Sequence, residues 1–171
     1  MDSAKMFLPG VSSGDFSEIH TALALSKLPQ VQRSLPMIPV PTTAGTGSEV
    51  TPWATLWDRT SAKHQKFSLH LNETWPEAAL VDPELTMSLP KVVTRDSNLD
   101  ALSHALESIW NVNANPVSDR LAVEAARTVI ENLAALLNDQ TNPQLRILAS
   151  RASLMAGLAF SNTKTALAHN I

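Results

Sequence analysis

The chain has 171 residues, and its hydrophobic content of 44% is enough to expect a folded core rather than disorder. Its formal net charge is -3 and it has no block of basic residues, which argues against nucleic acids and acidic membranes as partners. It contains no cysteine, so this sequence excludes disulfides, thiolate metal ligands and a thiol nucleophile.

Neither a secretory leader nor a membrane span is apparent in the sequence. The chain does not open with a charged-then-apolar leader. No apolar run approaches the roughly 20 residues that a helix needs to cross a bilayer. We therefore expect a cytoplasmic protein.

The chain divides near Leu89-Pro90 into two regions with different patterns. Before this point the apolar segments are short and separated by prolines, which is typical of an α/β sheet. We interpret residues 1–89 as part of an α/β dinucleotide-binding domain. The predicted elements are a helix near 17–28 and strands at 37–40, 53–57, 67–70 and 78–81.

A loop rich in threonine and glycine follows the first predicted strand. It runs from Pro41 to Glu49 with the sequence Pro-Thr-Thr-Ala-Gly-Thr-Gly-Ser-Glu. Such a loop can direct backbone N–H groups and threonine hydroxyls at phosphate or ribose oxygens. The alternative is a surface turn that binds no ligand. We refer to residues 41–49 as the Thr/Gly loop.

Asp100 and His104 lie four residues apart in a predicted helix, so both side chains project from one face. A carboxylate and an imidazole so placed can converge on one divalent cation, whose charge offsets the cost of burying an ionised Asp100. The alternative is a hydrogen-bonded pair without a metal, because polar pairs at this spacing are common. Glu107 either orients the His104 ring or lies at the surface.

The region after Pro90 has a helical pattern. Apolar residues recur at every fourth position from Leu121 to Leu137, which predicts a helix with a wide apolar stripe. We interpret residues 90–171 as the start of an all-helical domain.

Three helix starts are predicted in this region. Asn115 and Asn142 are each followed by a proline, and this pairing is typical of an N-cap and a first helical position. Asp96 or Ser97 is expected to cap the helix that carries Asp100. The second half of the chain is therefore expected to contain three consecutive helices.

The order of these motifs resembles the iron-containing (group III) alcohol dehydrogenase family. The Thr/Gly loop is followed by Val81-Asp82-Pro83-Glu84-Leu85, by the Asp-Ala-Leu-Ser-His-Ala-Leu-Glu run and by Asn115-Pro116. His169 then follows Ser161-Asn162 at the family's spacing. The resemblance implies a partial Rossmann-like nucleotide-binding domain, followed by the start of a dehydroquinate synthase-like helical domain.

The resemblance also implies a metal site and a cofactor site for reducing an aldehyde or oxidising an alcohol. Oxygen and imidazole ligands suit Fe(II), with Zn(II) as an alternative. The hydride carrier would be NAD(H) or NADP(H). The implied metal ligands are Asp100, His104 and His169. The implied cofactor contacts are Thr42, Thr43, Thr46 and Lys66.

The resemblance also implies that the sequence is an internal piece of a longer enzyme. Family members have a glycine-rich phosphate loop before a stretch that matches residues 1–5, and a fourth metal ligand after the position of Ile171. We therefore expect weak metal binding and incomplete cofactor binding. The exposed edges of such a piece favour a homo-oligomer.

Lys164-Thr165-Ala166 stands where family members often have Gly-Leu-Gly. If the segment is helical, Lys164 places a cation near His169, which favours an anionic substrate. This substitution resembles the branch of the family that reduces phosphonoacetaldehyde.

Three other interpretations stay open. An enzyme of the glycerol dehydrogenase or dehydroquinate synthase type would share this broad architecture and also use a cation with a dinucleotide. A second is a truncated, catalytically silent chain, acting at most as an interaction module. In a third, the chain is a helical scaffold whose Asp100–His104 pair is structural.

Overall fold

The computed structural model describes residues 4–7, 21, 35–58, 65–165 and 169. Within these ranges the chain is mostly helical, with one small two-stranded sheet. None of the helices in this part of the chain is both long and apolar enough to cross a membrane.

The internal contacts divide the chain into two compact units. The first comprises residues 1–39 and 51–79, and the second comprises residues 40–50 and 80–171. The segment that contains the Thr/Gly loop therefore groups with the helices that follow it. The predicted boundary near residue 89, between a dinucleotide-binding domain and a helical domain, stays a prediction.

The first unit contains an antiparallel pair of strands, β1 (Trp53–Asp58) and β2 (Gln65–His70). The predictions of strands at 53–57 and 67–70 are confirmed. Ala54 pairs with Leu69, and both are almost fully buried in a small apolar cluster. Lys5 is buried beside them, where its Nζ donates to the carbonyls of Thr51 at 2.6 Å and Trp53 at 3.0 Å.

Two other strand predictions are wrong. The segment 37–40 forms no regular element. Prolines at 36, 39 and 41 lack the N–H groups that a strand donates to its neighbours. The segment 78–81 is also irregular, and its Leu80 side chain is 59% exposed rather than packed in a sheet. The helix predicted near 17–28 lies outside the described residues, apart from Thr21.

The second unit is built on three helices. These are α1 (Lys91–Ile109), α2 (Pro116–Asn138) and α3 (Pro143–Thr163). All three pack against one another, and small side chains in the shared core let the helix axes approach closely. The buried residues of this core are Ala101, Ala105, Ala122, Ala125, Ala126, Ala156 and Ala159.

Both predicted asparagine caps are confirmed. Asn115 Oδ1 accepts from the backbone N–H groups of Val117 at 3.1 Å and Ser118 at 3.0 Å. The Ser118 hydroxyl accepts in return from the Asn115 N–H at 2.9 Å, which completes a capping box. Asn142 caps α3 through two similar bonds of 3.1 and 3.3 Å.

The predicted cap at Asp96 or Ser97 is wrong. Helix α1 already begins at Lys91, directly after Pro90, so both residues lie inside the helix. Proline is well suited to a helix start because the N–H that it lacks would have no partner there. The Ser97 hydroxyl instead donates to the Thr94 carbonyl at 3.3 Å.

Helix α3 ends at Lys164 in an unusual backbone conformation. Lys164 has φ 66° and ψ 173°, and its N–H donates to the Phe160 carbonyl at 2.7 Å. This region of φ and ψ is occupied almost entirely by glycine, because a Cβ is strained there. It is the position at which the resemblance leads us to expect glycine.

We predict that Lys164→Gly raises the free energy of unfolding by about 1 kcal/mol, because it removes this strain. Lys164→Ala is the matched control, since it removes the charge but keeps the Cβ. Guanidinium denaturation of the three proteins measures the difference. A Lys164→Gly protein no more stable than Lys164→Ala would show that the backbone is not strained.

Candidate metal centre

The three predicted metal ligands converge within the second unit. Asp100 and His104 project from one face of α1, and His169 approaches them from the other end of the unit's sequence. One ligand atom from each residue lies within 4.8 Å of the others. Asp100 Oδ1 is 3.3 Å from His169 Nε2, and Asp100 Oδ2 is 4.0 Å from His104 Nδ1.

The His104 ring is held by two other rings. It stacks on His169 with centroids 4.2 Å apart and planes tilted by 14°. It also packs against Phe160 of α3, with centroids 4.3 Å apart and planes tilted by 23°. Because rings in such contact cannot rotate freely, the direction of the His104 nitrogens is set by packing.

The environment of His104 fits a metal ligand. The residue is 6% exposed, and its Nδ1 is buried without a hydrogen-bond partner among the residues that the structure describes. An unpaired polar atom of this kind costs about 1–3 kcal/mol, and a bound cation would satisfy it. Burial lowers the pKa of His104, although Asp100 and a backbone hydrogen bond with Gly45 act to raise it. The imidazole is therefore favoured in its neutral form, the form that binds metals.

Asp100 and His169 shift each other's pKa values. Burial acts to raise the pKa of Asp100, but a hydrogen bond with His169 and the nearby imidazoles outweigh it, so the pKa lies below its ordinary value. The hydrogen bond to Asp100 raises the pKa of His169, with Glu107 acting in the same direction against burial. An ionised carboxylate with two imidazoles is a donor set that suits Fe(II) or Zn(II).

Glu107 belongs to this cluster, although not in the way that the sequence suggests. It is 1% exposed and so does not lie at the surface. Its Oε1 lies 2.7 Å from Nδ1 of His169 rather than against the His104 ring. The sequence does contain one indication of this role. Glu107 lies seven residues, or about two helical turns, after Asp100, so both carboxylates are on one face of the helix.

Glycines hold the Thr/Gly loop against two of the helices. A Cβ added to Gly45 would lie 2.5 Å from the carbonyl oxygen of Ser97 on α1. Gly47 has φ 59°, and a Cβ there would lie 2.6 Å from the Cα of Gly157 on α3. Since Gly45 also hydrogen-bonds His104 through its backbone, the loop adjoins the metal cluster.

The predicted cofactor contacts fall into two groups. Thr42 and Thr46 are exposed and Thr43 is half-buried on the same loop, where Thr46 Oγ1 accepts from the Ser48 N–H at 3.4 Å. Lys66 lies on β2 in the other unit, with its Nζ 5.7 Å from the centre of the Trp57 ring. The cofactor roles of all four residues stay predictions.

Two family patterns match the chain. Residues 1–83 match the pattern described as "Iron-containing alcohol dehydrogenase". Residues 94–171 match the one described as "Fe-containing alcohol dehydrogenase family, C-terminal". The two matches share no residues and together include Thr42, Thr43, Thr46, Lys66 and the three clustered side chains.

Individual relatives agree with this family. Over 138 residues the chain is 41% identical to long-chain-alcohol dehydrogenase 1 of Geobacillus thermodenitrificans, covering 81% of this chain and 34% of that one. Over 137 residues it is 36% identical to the NAD-dependent methanol dehydrogenase of Bacillus methanolicus, covering 80% and 35%.

A solved structure also resembles the chain. Sulfoacetaldehyde reductase from Bifidobacterium kashiwanohense, in complex with NAD+, is similar with a TM-score of 0.89 at 34% identity. The match covers 98% of this chain and 43% of the reductase. The chain thus spans less than half the length of each of these relatives.

We predict that Gly157→Ala destabilises the protein by about 1–2 kcal/mol, because the new Cβ would overlap Gly47 and force the Thr/Gly loop outward. The sign of the change in unfolding free energy tests this packing, because alanine in place of a glycine in a helix otherwise stabilises by up to about 1 kcal/mol. Thermal unfolding measures the change. A stabilised variant would contradict the close packing of loop and helix.

Proposed function

Because the chain belongs to the iron-containing alcohol dehydrogenase family, we propose that it forms part of a metal-dependent, NAD(P)-linked enzyme that interconverts a small aldehyde and its alcohol. The observation that carries the proposal is the convergence of Asp100, His104 and His169 within 4.8 Å, next to the Thr/Gly loop. The named relatives support it, since they include alcohol dehydrogenases and a reductase bound to NAD+.

The residues that would hold the metal are Asp100, His104 and His169, with Fe(II) as the proposed ion and Zn(II) as the alternative. When bound, such an ion supplies a Lewis acid for a carbonyl or alcohol oxygen. Asp100 contributes the negative charge that moderates the ion. His104 contributes a neutral imidazole, because burial lowers its pKa.

The Thr/Gly loop would hold the dinucleotide, which carries the hydride. The hydroxyls of Thr42, Thr43 and Thr46 and the neighbouring backbone N–H groups would bind its phosphate and ribose oxygens. Gly45 of the same loop lies directly against Ser97 of α1, and its backbone acts on the pKa of His104, so the loop lies beside this metal ligand. Lys66 is proposed as a further contact to the cofactor, on the resemblance alone.

Phe160 would keep water from one side of the metal cluster. It is 4% exposed and lies against the His104 ring. An apolar wall at this position strengthens electrostatic interactions at the reacting oxygen, because it lowers the local dielectric constant.

We predict that His104→Ala lowers the affinity for Fe(II) by more than about 100-fold, since changes to groups that merely support a ligand already cost 10–100-fold. Aldehyde-dependent oxidation of NAD(P)H should be lost with the metal. His70→Ala is the matched control, because His70 is an exposed histidine of β2 outside the cluster. Metal analysis and a turnover assay measure the two effects.

The outcomes separate the proposed function from its rivals. If the unaltered protein holds no metal and His104→Ala is only mildly destabilised, the Asp100–His104 pair is structural and the proposal fails. If the unaltered protein binds the metal but turns over no aldehyde, the chain is catalytically silent and the enzymatic proposal fails for it.

We further propose that the substrate is anionic, with phosphonoacetaldehyde as the specific candidate. The expected helical placement of Lys164 relative to His169 is wrong, because α3 ends at Thr163 and Lys164 is not helical. The proposal rests instead on Lys164 being an exposed cation five residues before His169. A sulfoacetaldehyde reductase, whose named substrate carries a sulfonate, is among the similar structures.

Lys164→Ala should lower the kcat/KM ratio of an anionic over a neutral aldehyde by about fivefold, the effect of an ion pair worth roughly 1 kcal/mol. Lys164→Arg keeps the charge and should keep most of the ratio. Steady-state kinetics with phosphonoacetaldehyde and propionaldehyde give both numbers. An unchanged ratio in Lys164→Ala would rule out charge recognition by this side chain.

A further inference from the structure

We propose that Glu107 is a positioning residue that fixes the tautomer and ring orientation of His169 for metal binding. The inference rests on the proposed metal site and assigns a role to a side chain outside the ligand trio. It explains why a carboxylate is buried one helical turn beyond His104.

The distances place a carboxylate oxygen next to each ring nitrogen of His169. Nδ1 lies 2.7 Å from Glu107 Oε1, a length typical of a charge-assisted N–H···O hydrogen bond. Nε2 lies 3.3 Å from Asp100 Oδ1 and so faces the ligand cluster. With the proton on Nδ1, the lone pair of Nε2 is available to a cation.

Asp100 and Glu107 compete for the proton of a neutral His169. If the proton moved to Nε2, that N–H would donate to Asp100 Oδ1, and the lone pair of Nε2 would no longer be available to a cation. Glu107 opposes this outcome by accepting from Nδ1. A carboxylate behind a metal-binding histidine is a general way of selecting the ligand tautomer.

Burial makes this interaction specific. Glu107 is 1% exposed, whereas His169 is a quarter exposed on its side chain, so the carboxylate forms the buried anchor and the ring lies over it. Removing a charged side chain from water is unfavourable unless it is hydrogen-bonded. The contact between Glu107 and His169 therefore differs from a solvent-exposed ion pair, because its carboxylate is buried.

The two imidazoles are oriented by different means. His104 is held by stacking against Phe160 and His169, and its Nδ1 has no hydrogen-bond partner among the described residues. His169 has a carboxylate at Nδ1 instead. Loss of Glu107 should therefore act directly on His169, while Phe160 continues to hold the His104 ring from its other contact.

The test compares Glu107→Ala and Glu107→Gln with the unaltered protein. Competition with a chromophoric chelator measures Zn(II) affinity, and two-bond 1H–15N spectra of Zn(II)-loaded, 15N-histidine-labelled protein report which His169 nitrogen carries the proton. We expect Glu107→Ala to weaken Zn(II) binding by about 10–100-fold. Glu107→Gln keeps the side-chain volume and a neutral acceptor, so its loss should be smaller.

The control is Glu124→Gln, which removes one negative charge from α2, where Glu124 pairs with Arg127 and Arg151. It should leave Zn(II) affinity and the His169 spectrum unchanged. If Glu107→Ala and Glu107→Gln lose only thermal stability, with Zn(II) affinity within about twofold and the same His169 spectrum, the positioning role is wrong. If the unaltered protein binds no Zn(II) through the trio, the proposed metal site is wrong, and this inference with it.

Discussion

Burial of the His104 imidazole is the constraint on which the rest of the site depends. The alanine-rich core brings α1 and α3 close enough for Phe160 to cover the ring. Exclusion from water lowers the pKa of the imidazole, and within the described part of the chain its Nδ1 has no hydrogen-bond partner. The unpaired Nδ1 destabilises the metal-free cluster, and a cation would remove that cost, while the lowered pKa keeps the ring in the neutral form that binds metals. The packing that stabilises the helices thus also creates the need for a ligand at this position.

The same packing connects the candidate metal centre to the Thr/Gly loop. Gly45 and Gly47 allow backbone to lie directly against α1 and α3, at separations where any side chain would overlap the helices. The Gly45 backbone then reaches His104. Under the proposed function, a loop held next to a metal ligand would help to bring a nicotinamide ring into contact with a metal-bound carbonyl group.

Local rules predicted the features that depend on neighbours in sequence. The one-face arrangement of Asp100 and His104 follows from helical spacing, and the caps at Asn115 and Asn142 follow from side-chain chemistry. These rules do not predict contacts between residues that are far apart in the sequence. The partner of Glu107 is 62 residues away, and His169 was identified only through the family resemblance. The strand prediction at 37–40 failed because prolines interrupt the segment, and the one at 78–81 failed although its residues are apolar, since Leu80 is exposed rather than packed in a sheet.

Anomalous X-ray diffraction at the iron absorption edge, on crystals of the Fe(II)-loaded protein, tests the central claim most directly. We expect one iron peak within bonding distance of an oxygen of Asp100 and of one nitrogen each of His104 and His169, beside the Thr/Gly loop. Iron bound elsewhere, or no iron with the three side chains hydrogen-bonded only to one another, would contradict it.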